Sequence, residues 1–370
     1  MIPFIDLAAQ RARIKDRLDA TVAKIIEDGR YINGPEVIEL EDRLGAFGNA
    51  SALTCGNGTD ALALPLMAWR LRTGDAVFVP SFTFAASAEV VPWLGATAVF
   101  VDIDPDTYNI DPESLKKAIA WVKTQDHLTA RGVIAVDLFG QPADYPAIAE
   151  ICREEGLKLI ADSAQGFGCT LHGKHPVEWA DIATVSFYPA KPLGCYGDGG
   201  AMLTRDEELL ALLKSLRNHG EGVERYAYAR IGMNSRLDTL QAGILLEKLA
   251  IFPDEIEARN TVAKAYADGF GDVVKVPHVI DGAVSTWAQY TIEVKDRDGF
   301  RKALADHGVP TAVYYPVPIH QQTPYARFPT VPGGLPVTDA AAQRVVSLPM
   351  DAYVQGDRLQ TVIDAVRKAA

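Results

Sequence analysis

The amino-acid sequence predicts an α/β protein built on a mostly parallel sheet with helices on both faces, followed by a smaller α+β unit. Three observations carry this reading. Seven short β-rich runs alternate with helical stretches between Ser51 and Thr204, namely SALT, AVFV, TAVFV, GVIAV, LKLIA, IATVSF and GAMLT. Turn-forming residues separate these runs. Beyond Pro253 the pattern changes to fewer strands and a Pro-rich connection.

In chain order, Ile14, Leu18, Val22, Ile25 and Ile26 recur at helical spacing and the pattern stops at Asp28-Gly29, so an amphipathic helix precedes a turn over 29–35. Within the α/β region the helices are expected over 60–71, 144–155 and 206–217, each opening on an aspartate, a favoured N-cap. A long helix is expected over 235–249, and Pro253 marks a boundary before another over 255–270. The remainder predicts strands over 288–294 and 311–315, helices over 298–307, 339–346 and 356–368, and a connection over 316–336. The expected division is therefore a large domain over 1–253 and a small one over 254–370.

Composition narrows the function classes. With 370 residues, 48% hydrophobic and 23% charged, the chain has the makeup of a globular protein. A formal net charge of −12 speaks against nucleic acid or an anionic membrane surface as partner. Cys55, Cys152, Cys169 and Cys195 form no CxxC pair, as expected of reduced thiols, and the N-terminus lacks a signal-peptide core, so a cytoplasmic location is expected. No residue cluster suggests a metal site; His172 and His175 read as a hairpin turn, and His219 and His320 as structural or substrate-contacting polar groups.

Three motifs fall at the carboxyl ends of strands, where a parallel sheet places its ligands. Gly56-Asn57-Gly58-Thr59-Asp60 follows one strand and opens a helix, which suits it to phosphate, although a plain capped turn explains it equally. Asp162 ends an apolar strand in LKLIADSAQ, so its carboxylate needs a cation or several hydrogen bonds. A protonated pyridine nitrogen meets that need, with Gln165 in reach of the same ring; a local ion pair would meet it too. Lys191 stands between Pro189 and Pro192 in SFYPAKPLGCYGDGG, a stiff loop that suits a lysine forming a Schiff base, and Ser186 at the strand end offers a second phosphate hydroxyl. Together the three describe a pyridoxal 5'-phosphate (PLP) site of the aspartate-aminotransferase type, fold type I.

Beyond these residues the chain resembles the DegT/DnrJ/StrS family of sugar aminotransferases, through GRYINGPEV, CGNGTDAL, PSFTFAASAE, VDIDPDTYNID, IADSAQGFG, SFYPAKPLGCYGDGGA and MNSRLDTLQAGIL among others. The resemblance implies Lys191 as the cofactor-bearing lysine, Asp162 against the pyridine nitrogen and Gln165 against the phenolic oxygen. It also implies Gly58, Thr59, Asp60 and Ser186 around the phosphate and Phe84 stacked on the ring. Asn234 would reach the phosphate of a second subunit, which implies a homodimer with shared sites. L-glutamate is the implied amino donor and a keto-sugar nucleotide the acceptor. Several segments are most similar to enzymes that aminate a UDP-linked 3-keto uronic acid for surface polysaccharides such as O-antigen. On that likeness Gly29, Tyr31, Arg236, Tyr314, Tyr315 and His320 would line the substrate site. Where such enzymes often have His-Tyr-Pro, this chain has Tyr314-Tyr315-Pro316. Amination of a dTDP- or GDP-linked 3- or 4-keto-6-deoxyhexose is the alternative, and a regulatory protein on the same fold the non-enzymatic one.

Overall fold

The computed structural model describes residues 2–224 and 226–370. Two helices, α1 (Leu7–Asp28) and α2 (Pro35–Gly48), precede the sheet. The strands and helices then alternate as β1 (Ser51–Cys55), α3 (Gly58–Ala68), β2 (Asp75–Pro80), α4 (Ala85–Trp93), β3 (Thr97–Val101), α5 (Pro112–Val122), β4 (Thr129–Val136), α6 (Tyr145–Glu155) and β5 (Lys158–Asp162). A short β6 (Thr170–Leu171), then β7 (Ile182–Ser186), β8 (Gly200–Thr204) and α7 (Glu207–Leu216) complete this region. Seven of the strands make one sheet in the order β1-β8-β7-β5-β4-β2-β3. Only β8 runs against its neighbours, pairing antiparallel with both β1 and β7. The sheet is sandwiched between helices, so β2 is buried along its whole length and β5 from Leu159 onward.

The helices α8 (Thr239–Leu249) and α9 (Phe252–Phe270) lead to β9 (Ala283–Val284), β10 (Tyr290–Glu293), α10 (Arg297–Asp306), α11 (Pro336–Arg344), β11 (Val345–Leu348) and α12 (Gly356–Ala369). A second apolar core gathers Tyr266, Phe270, Tyr290, Ile292, Leu304, Val346 and Val362 around the β10–β11 pair. The connection before α11 returns to the main core through Ile319, Val331 and Leu335. Among the described residues no helix is long and apolar enough to cross a membrane.

Four expectations are corrected. The helix expected from Ser235 starts at Thr239, because Asn234 and Asp238 are extended and bridge to Asn218 and Ile32. The helix expected from Glu255 starts at Phe252, because Pro253 fits inside its first turn, where the missing N–H costs nothing. Val345 and Val346 belong to β11, since pairing with Glu293 and Ile292 outweighs continuation of the helix. Residues 311–315 form no strand beyond a bridge from Ala312 to Ser347. Tyr314 and Tyr315 instead turn consecutive side chains toward one cavity, which the alternation of a strand forbids.

Candidate active site

A cavity of about 790 Å³ opens at the carboxyl ends of β4, β5 and β7 and the N-termini of α3 and α4. Its wall contains Gly58, Thr59, Asp60, Phe84, Asp162, Gln165, Ser186, Lys191, Tyr314 and Tyr315. Ten of the expected site residues thus meet in one place, although they come from segments scattered over the chain.

The α3 N-terminus forms one end. The Asn57 side chain accepts from the Asp60 N–H at 2.8 Å, leaving the Gly58 and Thr59 N–H groups without a protein acceptor among the described residues. Unpaired N–H groups at a helix start attract an anion. Gly58 is required for this approach: a Cβ there would lie 2.6 Å from the Cβ of Ser186. Asp60 is held from outside by Ser235, whose hydroxyl donates to it at 2.7 Å and accepts the Gly56 N–H at 2.9 Å.

Asp162 ends β5 and is buried. Burial pushes its carboxyl above the usual range, opposed by a 2.7 Å hydrogen bond from the Ser87 hydroxyl and a 3.2 Å bond from the Ala164 N–H. A carboxylate has lone pairs beyond those two bonds, so it can still take a proton-bearing cation from the cavity. Gln165 is fixed in orientation: its Oε1 accepts from the Phe139 N–H at 2.7 Å and its Nε2 donates to the Tyr315 hydroxyl at 3.1 Å. The amide nitrogen therefore faces the cavity with one N–H to spare.

Lys191 begins beyond a turn in which its own N–H bonds the Tyr188 carbonyl at 2.8 Å. Its ammonium is pushed down to about 8 by burial, against the opposing pull of Asp162. Attack on an aldehyde requires uncharged amine, and near neutrality this lysine holds far more of it than an ordinary one does. Phe84 is the exposed N-cap residue of α4, its ring 6.3 Å from that of Tyr315, and offers a flat apolar face. These donors match a group carrying a phosphate, a protonatable ring nitrogen, a phenolic oxygen and an aldehyde.

Five expected residues lie elsewhere. Asn234 is exposed, and Arg236 keeps a buried Nε without an acceptor; neither lines this cavity. Gly29 is the left-handed cap of α1, and the Tyr31 hydroxyl bonds the Ile26 carbonyl. His320 is occupied elsewhere, between the Ser81 hydroxyl at 2.8 Å and Asp339 at 3.3 Å, and burial pushes its pKa down. His175 caps the turn that follows the hairpin through the Val177 N–H.

Sequence reasoning missed Ser87, Glu89 and Trp93, all on α4 and all in the cavity wall. Ser87 was detectable as a hydroxyl one turn after Phe84 in PSFTFAASAE, but nothing in the sequence aimed it at Asp162. It missed Asp137 too, a fully buried carboxylate behind Asp162 that accepts from Ser163 at 2.5 Å and Tyr145 at 2.7 Å.

Comparisons with known proteins point to one enzyme family. The chain is 45% identical over 368 residues to the UDP-2-acetamido-2-deoxy-3-oxo-D-glucuronate aminotransferase of Pseudomonas aeruginosa, covering 99% of each chain. A crystal structure of a DegT DnrJ EryC1 StrS aminotransferase from Brucella abortus is 49% identical and superposes with a TM-score of 0.98, covering 100% of this chain and 99% of that one. The NtdA structure from Bacillus subtilis, solved with bound cofactor PMP, is 28% identical with a TM-score of 0.87, covering 96% of this chain and 82% of that one. The model of the DegT/DnrJ/EryC1/StrS aminotransferase family matches residues 12–367, and the chain belongs to that family.

Proposed function

We propose that this aminotransferase moves an amino group from L-glutamate to the 3-ketone of a UDP-linked 2-acetamido-2-deoxy-3-keto-glucuronic acid, with PLP held in the cavity at the ends of β5 and β7. The observation that carries the reading is the meeting of an amine, a buried carboxylate and an unpaired helix N-terminus within one cavity. The 45% identity to the Pseudomonas enzyme supports the choice of sugar.

PLP supplies an electron sink that stabilises negative charge at the carbon bearing the transferred nitrogen. The protein's own groups account for the rest. Gly58 and Thr59 N–H groups and the Thr59 and Ser186 hydroxyls bind the phosphate, and the dipole of α3 adds to their hold. Asp162 would favour a protonated ring nitrogen, and the Ser87 hydroxyl, by donating to Asp162, favours its charged form against the effect of burial. Gln165 would donate its spare N–H to the phenolic oxygen, and Phe84 would offer its flat face to the ring. Lys191 would stand beside the reacting carbon as an amine of lowered basicity, able to hold a proton there and to release it.

Exposed Asn234 and the unpaired Arg236 support a homodimer in which each subunit completes its partner's site, Asn234 at the phosphate and Arg236 at a substrate carboxylate. Gly29, Tyr31, Tyr314, Tyr315 and His320 belong to the substrate side of this reading, His320 by fixing the wall behind Ser81. A cytoplasmic enzyme supplying surface polysaccharide precursors, divided near Pro253 into two domains around its two larger cores, completes it. The test is amine transfer from glutamate to purified keto-sugar nucleotides. The UDP-linked 3-keto uronate should be aminated and Lys191→Ala should be inert; preference for a dTDP- or GDP-linked deoxy sugar would overturn the substrate assignment.

A further inference from the structure

Lys248 is buried to within 1% of full coverage, the one lysine among the largest fully buried side chains of the described residues. Placing an ammonium there is costly, and a methionine would fill the space without that cost. Its Nζ donates to the Gly194 carbonyl at 2.6 Å and sits 4.3 Å from the centre of the Tyr196 ring. Gly194 lies three residues beyond Lys191. A Cβ on Gly194 would stand 2.6 Å from both the Tyr188 and Pro189 carbonyls, so the loop is folded tightly back on the turn that launches Lys191. That turn is closed by the bond from the Lys191 N–H to the same Tyr188 carbonyl, and the Cys195 N–H bonds the carbonyl of Phe187, one residue past the end of β7.

Gln241 grips the next stretch of the loop. Its Oε1 accepts from the Tyr196 N–H at 2.8 Å and its Nε2 donates to the Tyr196 carbonyl at 3.2 Å. Gln241 and Lys248 are two helical turns apart on α8 and face the same loop. We infer that Lys248 and Gln241 are positioning residues: α8 is a rigid brace that holds the 188–198 loop and so sets where the Lys191 amine points. The inference rests on the reading of Lys191 as the amine that meets the cofactor, and it gives α8 a part in catalysis without contact to substrate.

The experiment compares holoenzyme carrying Lys248→Met, Lys248→Arg or Gln241→Ala with the parent. Hydrogen exchange over 187–198 should quicken in Lys248→Met and Gln241→Ala while the sheet strands keep their protection. A displacement of a fraction of an ångström should lower kcat about ten-fold with little change in KM for glutamate. Lys248→Arg, which retains a donor for Gly194, should recover part of that loss. Gln241 is partly exposed, so its variant keeps the test open if Lys248→Met fails to fold. Borohydride reduction of each protein with PLP separates the two readings. Label on Lys191 together with unchanged exchange and kcat in folded variants would overturn the brace alone, whereas no label on Lys191 in the parent would overturn the cofactor reading beneath it.

Discussion

Replacing Gly58 with alanine perturbs the anion-binding end of the cavity by a single methyl group. The added Cβ would lie 2.6 Å from Ser186 Cβ, 3.0 Å from its Oγ and 3.2 Å from its Cα. Carbon atoms in contact prefer about 3.5–4.0 Å, so α3 must withdraw from the end of β7 by roughly 1 Å. Rotation of the serine cannot relieve this, because Cβ and Cα are fixed to the backbone. Overpacking of this kind costs about 1–3 kcal/mol. Relaxation of the empty protein would return most of that cost when the phosphate draws the two elements together again. PLP affinity should therefore fall by about 5- to 150-fold, at 1.4 kcal/mol per decade. Equilibrium dialysis against PLP, paired with a thermal melt, measures both parts. Ser186→Gly removes the nearest clashing atoms, so the cost of Gly58→Ala should shrink in that background, a coupling that a double-mutant cycle reads directly. An unaltered PLP affinity in Gly58→Ala would refute the close pairing of α3 with β7 as the phosphate seat.

Three further outcomes are expected. Because Lys191 is held down to about 8, capture of PLP by the apoprotein should rise with pH up to that region and then level, and Asp162→Asn should move the midpoint lower by removing the charge that holds it up; a midpoint near the ordinary lysine value of 10.5 would contradict this. Arg217, whose side chain is 6% exposed, bonds Glu41 at 2.5 Å and the Thr54 carbonyl at 2.5 Å, so Glu41→Gln leaves a buried cation without its counter-charge and should lower urea stability by about 3–5 kcal/mol, with a loss under about 1 kcal/mol arguing against it. Asp137 is pushed up to about 7 by burial, so between its ordinary 3.8 and that value the unfolded state holds fewer protons than the native one and stability falls as pH rises. Asp137→Asn should flatten that slope in melts taken across the window; an unchanged slope would assign it to other groups.

The sheet was legible in the sequence because a strand buried on both faces must be written as a short unbroken apolar run, as IATVSF and LKLIA are. The site was legible for a related reason. Asp162 and Lys191 are poor choices for buried surroundings, and such conflicts mark function, whereas the Gly-Asn-Gly-Thr turn is an ordinary cap that drew notice by following a strand end. The tyrosine pair was misjudged because its two aromatic side chains obey the cavity rather than strand alternation. Ser87, Lys248 and Gln241 were out of reach for a different reason. Each acts through a contact 75, 54 or 45 residues away in the chain, and no local pattern encodes such a partner. The helix that includes Lys248 reads as an ordinary long helix until the loop it holds is seen.

Borohydride reduction of the protein with PLP, followed by peptide mass mapping, bears most directly on the whole account. A pyridoxyl group should be found on the peptide containing Lys191 and should vanish in Lys191→Ala. Modification of some other lysine, with position 191 left bare, would contradict the placement of the chemistry at the ends of β5 and β7.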